Sequence, residues 1–477
     1  MKYELINFCE IDKFAIDSYC RIHNEPSSKN LGDISKVNTT DIQDFDLLVG
    51  GSPCQDFSLA GKKSGATYTC TDCGYQYNPL EAHYTKRNCC PKCGSPNLEK
   101  TRSSLIVEYL RILREKQPKF AIYENVKNII GKEFKPIFDL FLKEVNEIGY
   151  ISYYQILNAK DYGIPQNRER MIVVFIRKDI DYGFTYPKKI SLKSNIEDIL
   201  DDKIDKKYYL KEDTAFKIIQ TAINNHKLSI YFHTKHTSDL FTKILSVILK
   251  YERNFYGKQI RKQYEKGEIH EKIKNMRMLV PRNDGIANTL TTFQKDNYIL
   301  ERWIFINEKL SNYLIDYYCC NHKLPSRINL RTNNVFIYGE NDKDLYYLNE
   351  TLMITLICFC KNYGYCVRKL TPKESFRLMG FKDEYFEKAR YYTNEERNKL
   401  DQLGKTYLTE LNIDKKECAI KLSDAQAYKQ TGNSIVVNVL YYLFQSLKEQ
   451  YSEFTDGMKV CSLFSGIGAF EQALKII

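Results

Sequence analysis

Cys54 is the residue of this 477-residue chain whose setting best suits nucleophilic chemistry. It follows the apolar run Asp46-Leu47-Leu48-Val49 within Gly50-Gly51-Ser52-Pro53-Cys54-Gln55. That pattern predicts a cysteine on a tight loop at the carboxyl end of a strand, where open α/β sheets bind their ligands. A thiol of ordinary pKa, about 8.5, needs an exposed and polarised setting to react, which a loop provides better than a core. The ordinary alternative is a buried structural thiol.

A second cluster has the chemistry of a metal site. Cys70-x2-Cys73 and Cys90-x2-Cys93 are separated by sixteen residues, and each pair is followed by glycine. This is the two-knuckle spacing of a four-cysteine zinc ribbon. Cys89 and His83 are lesser candidates as ligands. The chain has 15 cysteines, an odd number. Met1 to Glu10 has no basic segment leading into an apolar one, and no window approaches the ~18 apolar residues of a membrane helix. The expected compartment is therefore the reducing cytoplasm, where cysteines serve as buried thiols, metal ligands or nucleophiles rather than disulfides.

The third candidate is a nucleotide-type site. Val460-Cys461-Ser462-Leu463-Phe464-Ser465-Gly466-Ile467-Gly468 reads as a strand entering a glycine turn, which lets backbone N–H groups approach a ligand. By itself a GxG is weak evidence. In such folds an acid ending the next strand, about 20 residues on, binds the ribose. Nine residues follow Gly468, and Glu10 ends the apolar run at the other end of the sequence, so counting off one end and onto the other reaches Glu10 in nineteen steps. The spacing predicts that the two ends form one βαβ unit, which requires them to be neighbours in space.

These groups need a scaffold. Apolar runs predict strands at Tyr3 to Phe8, Phe45 to Val49, Phe120 to Tyr123, Tyr153 to Leu157, Met171 to Ile176 and Lys459 to Phe464. Helical spacing appears at Ser103 to Lys116, Phe134 to Ile148 and Ser434 to Gln450. Alternating strands and helices imply an α/β fold built on a parallel sheet. Between about 188 and 420 this regularity gives way to charged runs, tyrosine-rich pieces such as Tyr313 to Cys320, and turn signals such as Asn283-Asp284-Gly285. The expected organisation is residues 1–187 as a first catalytic part with an insertion at 66–100, 188–420 as a second domain, and 421–477 as the remaining catalytic part. The 43% hydrophobic content supports a sizeable core. The charge is +11, from 71 basic and 60 acidic residues, and Lys243 to Arg282 alone holds eleven Lys/Arg against four Glu. Such an excess suits a polyanionic partner, although a solvated face explains it equally well.

Several motifs together resemble those of DNA cytosine-5 methyltransferases: Pro53-Cys54-Gln55, Glu124-Asn125-Val126, Gln166-Asn167-Arg168-Glu169-Arg170, Gln430-Thr431-Gly432-Asn433-Ser434-Ile435-Val436-Val437 and the Phe464 to Gly468 turn. Gly32-Asp33-Ile34, Arg368-Lys369-Leu370-Thr371-Pro372-Lys373-Glu374 and Met379-Gly380-Phe381 add to the likeness, which covers roughly 1–180 and 368–477. The family begins with the glycine turn that comes last here, so its order is circularly permuted. The resemblance implies a Rossmann-like S-adenosylmethionine-dependent mixed sheet with helices on both faces, plus a smaller, irregular target-recognition domain.

It further implies site roles. Cys54 would add to carbon 6 of a flipped-out cytosine, Glu124 would hold a proton at N3, Arg170 would donate to O2, and Arg168 would brace the catalytic loop. Phe464, Ser465, Gly466, Ile467 and Gly468 would hold the methionine and adenosine parts of S-adenosylmethionine, with Glu10 on the ribose and Asp33 and Ile34 on the adenine. Pro53, Leu105, Asn433 and Ile435 would complete the pocket. Ile11 stands where the family often has an aromatic residue, so ring stacking on the adenine from that position is not implied. The cysteine ribbon interrupts the segment that closes over the base, and Lys62 to Arg102 carries seven basic and three acidic residues, so contact with DNA backbone is expected there. Gly285 to Thr292 resembles the opening of the recognition region, which places base contacts at about 290–366. The expected protein is a bacterial, nucleoid-associated monomer acting on double-stranded DNA, with or without a cognate restriction endonuclease. A tRNA cytosine methyltransferase and a non-catalytic DNA-binding scaffold are the rival readings; retention of Cys54, Glu124, Arg168 and Arg170 together argues against the latter.

Overall fold

The computed structural model describes residues 1–53, 56–57, 65–201, 204–211, 213–215, 218, 241–253, 259–260, 263, 268, 277–282, 284–292, 297–305, 328–329, 336–338, 345–347, 365–393 and 421–477. Cys54 and Gln55, the Tyr313 to Cys320 segment and most of 290–366 lie outside the described residues. The chain forms two compact units, 1–193 with 291–293 and 375–477, and 194–290 with 294–374. Residues 375–393, expected in the second domain, therefore belong to the first unit. The reason is local: the Gln166 amide donates to the Leu378 carbonyl and the Val437 N–H to that of Met379.

The first unit is a six-stranded sheet in the order Tyr3–Cys9, Met458–Leu463, Leu47–Gly50, Phe120–Val126, Glu169–Arg177, Tyr150–Asn158. The first four strands are parallel, so the strand from each end of the sequence pairs directly with the other. Of the last two, Glu169–Arg177 runs antiparallel to both its neighbours and Tyr150–Asn158 runs in the direction of the first four. The sheet is therefore mixed, as the resemblance implies, and not the parallel one suggested by the apolar runs. Only a short segment joins these two strands, whereas parallel neighbours need a long crossover.

Alternate residues of the Phe120–Val126 strand face opposite ways, as the two-residue period of a strand requires. Tyr123 packs against Tyr109 and Phe141, on helices Ile106–Lys116 and Lys135–Ile148. Phe120 packs against Tyr451 and Phe454, just beyond helix Val437–Gln450. Helices thus cover both faces. Leu47, Leu48 and Val49 are fully buried between them, each contributing about 1.5–3 kcal/mol of burial.

Two helices start later than their spacing suggests. Residues Arg102–Leu105 form a 3-10 turn before Ile106, because the Ser103 side chain and N–H are engaged by Pro53 and Asp56. The last long helix starts at Val437 because the Ser434 carbonyl is taken by Arg168.

The described part of the second unit contains a four-stranded antiparallel sheet, in the order Arg277–Arg282, Phe241–Arg253, Tyr298–Phe305, Tyr365–Lys369. It gives order to what reads as an irregular domain. Among the described residues no helix is long and apolar enough to cross a membrane.

Candidate active site

The register of the parallel strands brings the site together. Cys9 lies beside Leu463, Leu463 beside Gly50, and Gly50 beside Tyr123, in one row across the sheet. The next residue on each strand is Glu10, Phe464, Gly51 and Glu124 respectively. The predicted ribose acid, the glycine turn, the loop leading to Cys54 and the predicted catalytic acid therefore share the carboxyl edge of the sheet.

At one end of the row, Glu10 accepts the Gly466 N–H through Oε2 at 2.9 Å, and the Ile11 and Asp12 N–H groups through Oε1 at 2.8 and 2.9 Å. The Ser465 N–H donates to the Cys9 carbonyl at 3.1 Å. Gly466 has φ +57°, and a Cβ placed there would meet no atom within 4 Å. The turn thus presents bare backbone to open space beside a carboxylate, which fits an adenosyl cofactor. Ile11 is 74% exposed next to Glu10, a large apolar side chain left uncovered. Asp33 accepts from the Ser35 N–H and hydroxyl, and Asn433 is exposed at the end of helix Asp424–Asn433. Pro53, Leu105 and Ile435 are half-buried, whereas Ile34 is packed in the core with its carbonyl accepting from Arg111 and the Val37 N–H. Sequence reasoning missed Asn30, whose side chain accepts the Glu10 and Gly32 N–H groups and donates to the Glu10 carbonyl.

A buried histidine ties this turn to helix Lys13–His23. His23 Nε2 donates to the Ile467 carbonyl at 3.0 Å, and Lys475 Nζ approaches Nδ1 at 3.3 Å, so the neutral ring is satisfied at both nitrogens. Burial, reinforced by Lys475, pushes its pKa down to about 3. Because the unfolded chain gains this proton at about pH 6.5 and the folded chain does not until about pH 3, its contribution to stability is present above pH 6.5 and lost as pH falls. The expected slope is about 1.4 kcal/mol per pH unit. Denaturant melts across pH 4–7 test this, and His23→Gln should flatten that part of the profile.

At the other end, a Cβ on Gly51 would come within 2.5 Å of the Glu124 carbonyl and 3.0 Å of its Oε2, so only glycine allows the loop to pass the acid this closely. Glu124 is paired with Arg170 at 2.9 Å, Nε to Oε1, with side chains 14% and 16% exposed. Burial raises the Glu124 pKa above the ordinary value despite Arg170 and Arg168. Arg168, only 2% exposed, donates to the carbonyls of Gly432 and Ser434 at 2.9 and 2.6 Å. It locks the Gly432-Asn433-Ser434 segment, a contact the sequence did not indicate.

The residues flanking Cys54 are anchored by side chains that no motif singled out. Asn125 donates to the Ser52 carbonyl and the Tyr123 hydroxyl, and Asn128 donates to the Phe57 carbonyl at 2.7 Å. Ser103 donates to the Pro53 carbonyl at 2.7 Å.

The four cysteines of the second cluster meet. Their sulfurs all lie within 4.8 Å of one another, with Cys70 to Cys93 at 3.6 Å and Cys73 to Cys90 at 3.7 Å. Four Zn–S bonds of about 2.3 Å at tetrahedral angles require sulfur spacings of about 3.8 Å. Both knuckles have one hydrogen-bond pattern, Gly74 to Cys70 and Gly94 to Cys90, with Cys70 donating to Tyr75 and Cys90 to Ser95.

A doubly covered sheet with a glycine turn, a carboxylate hydrogen-bonded to that turn and a half-buried glutamate–arginine pair on one edge defines a Rossmann-like methyltransferase. The C-5 cytosine-specific DNA methylase family matches residues 1–73 and 93–405, and the chain belongs to that family. The chain is 30% identical to the orphan methyltransferase M.SPBetaI of Bacillus phage SPbeta, over 94% of this chain and 93% of that one. Over 39% of the chain and 43% of the relative, it is 36% identical to the type II methyltransferase M2.ScrFI of Lactococcus lactis subsp. cremoris. Among solved structures it is similar to a Spodoptera frugiperda DNMT2 mutant, with a TM-score of 0.42 and 16% identity, covering 93% of this chain and 92% of the other. The protein is a DNA (cytosine-5) methyltransferase.

Proposed function

We propose that this methyltransferase modifies cytosine within a specific double-stranded DNA sequence, with Cys54 as the nucleophile. The supporting observation is the row across the sheet edge, which aligns Glu10, Phe464, Gly51 and Glu124 at the carboxyl ends of four parallel strands. When bound, S-adenosylmethionine supplies an electrophilic methyl group for carbon 5. The Cys54 thiolate adds to carbon 6 of the extrahelical cytosine, Glu124 presents a proton to N3 as charge develops there, and Arg170 donates to O2. Release of the carbon 5 proton to solvent water, expulsion of the Cys54 thiolate from carbon 6 and return of the N3 proton to Glu124 restore the ring. Glu10 and the Phe464 to Gly468 turn would hold the cofactor, with Asp33 and Ile34 at the adenine and Ile11, Pro53, Leu105, Asn433 and Ile435 completing the pocket.

The order of the motifs is read as a circular permutation, supported by the parallel pairing of Tyr3–Cys9 with Met458–Leu463. Zinc is the metal assigned to Cys70, Cys73, Cys90 and Cys93, since four thiolates at tetrahedral spacing select it. Sequence-specific base contacts are assigned to 290–366. The setting is bacterial or phage modification of cytoplasmic nucleoid DNA by a monomer, as an orphan enzyme or beside a cognate endonuclease.

Duplex DNA containing 5-fluorocytosine should trap the parent enzyme covalently, and Cys54→Ser should form no adduct. An adduct that persists in Cys54→Ser overturns the assignment. Bisulfite or nanopore sequencing of DNA from expressing cells would read the target, and methyl transfer to tRNA but not duplex DNA would favour the rival substrate.

A further inference from the structure

We propose that the four-cysteine centre is a positioning device for the loop that carries Cys54, acting through Thr101 and Ser103. The inference rests on the zinc reading above and goes beyond it, because a structural clip alone would leave catalysis untouched.

The ribbon is three very short strands, Tyr68–Cys70, Gln76–Tyr77 and Leu98–Lys100. Its buried apolar side chains are few, chiefly Tyr68, Tyr77 and Leu80, so a bound metal is the natural source of its stability. The ligand Cys70 is paired with Leu98, and the Leu98–Lys100 strand runs straight into Thr101. Thr101 Oγ1 donates to the Gly65 carbonyl at 2.9 Å and accepts the Thr67 N–H at 3.0 Å, while the Thr101 N–H donates to the Thr67 carbonyl at 3.0 Å. Two residues on, Ser103 Oγ donates to the Pro53 carbonyl at 2.7 Å and accepts the Asp56 N–H at 3.3 Å. The Ser103 N–H donates to Asp56 Oδ2 at 3.1 Å, and the Gly65 N–H donates to the Asp56 carbonyl at 3.2 Å. Pro53 and Asp56 are the described residues on either side of Cys54 and Gln55. One short segment leaving the metal knuckles therefore fixes both flanks of the nucleophile.

The ribbon is itself fixed to the catalytic unit. Arg87, 7% exposed, forms a two-pronged ion pair with Glu144, which also pairs with Arg114. The Arg114 guanidinium lies 4.0 Å from the Tyr84 ring centroid. Glu144 and Arg114 belong to helices Lys135–Ile148 and Ile106–Lys116, and the latter continues from Ser103. Metal centre, Arg87 key, helix and latch form a closed mechanical circuit. Without the metal, Cys70 and Cys93 no longer share a centre, and the strand delivering Thr101 loses its fixed end. Glu10 and Gly466, the hydrogen-bonding end of the cofactor site, stand on other strands, so cofactor affinity should change far less than kcat even though Pro53 and Leu105, next to the latch, line the same pocket.

The test uses the full chain and four readouts: zinc content, S-adenosylmethionine affinity, kcat with KM for DNA, and the rate of adduct formation on 5-fluorocytosine DNA. Cys73→Ser should lose the metal and about 10–100-fold in kcat and adduct rate, with cofactor affinity within about twofold. Thr101→Val should keep its zinc yet lose kcat in the same way, and Thr101→Ser should restore it. Parental kcat in Thr101→Val, or in folded metal-free Cys73→Ser, overturns the proposal. So does a loss confined to DNA affinity and its salt dependence, which would point instead to the ribbon as a backbone contact. Absence of metal from the parent protein would refute the zinc reading alone, while Thr101→Val would still decide the latch.

Discussion

Glu124→Gln should lower kcat about 10²–10⁴-fold, the range of a general acid removed from a positioned site, while leaving affinity for S-adenosylmethionine unchanged. The amide keeps the shape of the carboxyl group but has no proton to give to N3. Two features of the site make the carboxyl suited to this. Gly51 lets the loop backbone pass against Glu124 with no side chain between them, and burial raises the Glu124 pKa more than Arg170 and Arg168 lower it. The sign follows directly. An acid with a raised pKa keeps its proton to higher pH, so the rate of adduct formation should fall as pH climbs through that value. Glu124→Gln should lose this limb of the profile. The same shift acts on stability: above the ordinary carboxyl range the unfolded chain ionises first, so the charged native state is penalised as pH rises. At neutral pH Glu124→Gln should therefore melt no lower than the parent, which separates lost chemistry from lost folding. Single-turnover rates from pH 5 to 9 check this; a rate within threefold of the parent would sink the role assigned to Glu124.

Much of this site is visible in the sequence because its parts lie at strand ends, and strands announce themselves by apolar runs. The meeting of Glu10 with Gly466 follows from a count of residues across the two chain ends, and the cysteine knuckles from their spacing alone. What escaped notice is carried by ordinary polar residues whose partners are distant in sequence. Ser103 reaches Pro53, Asn128 reaches Phe57, Asn30 braces Glu10, and Arg87 finds Glu144. No local period marks such contacts, since a serine beside a helix start looks like a cap until its tertiary partner is known. Arg168 illustrates the same limit: its motif draws attention to it, but only the structure reveals the Gly432 and Ser434 carbonyls as its partners. In the second unit the strands come from segments far apart, Phe241–Arg253 with Tyr298–Phe305 and then Tyr365–Lys369. Their pairing is fixed by packing across that distance rather than by any pattern within one segment.

That unit is also where the largest loss of stability is expected. Arg368, Glu301 and Glu374 are each 0% exposed. Arg368 Nε donates to Glu301 at 2.8 Å, and its two terminal nitrogens donate to the two oxygens of Glu374 at 2.9 Å. The remaining acceptor capacity is filled by the Asp201 and Thr371 N–H groups on Glu374 and the Tyr209 hydroxyl on Glu301. One cation serves two buried carboxylates, and the pair of anions holds the guanidinium firmly charged. Arg368→Met removes that cation and strands both carboxylates in the interior, so it should cost at least about 3–5 kcal/mol, the range for breaking a buried ion pair from one side. Hydrogen exchange in the Phe241–Arg253 and Tyr298–Phe305 strands is the direct measure, because a global melt mixes the two units. If the cost comes from stranded charge rather than lost packing, adding Glu301→Gln and Glu374→Gln should recover protection, since removing all partners of a buried network is far cheaper than removing one. Failure of that rescue would assign the loss to packing. The functional corollary follows from where the cofactor residues lie: Glu10 and Gly466 belong to the other unit, so Arg368→Met should still bind S-adenosylmethionine while failing to methylate DNA.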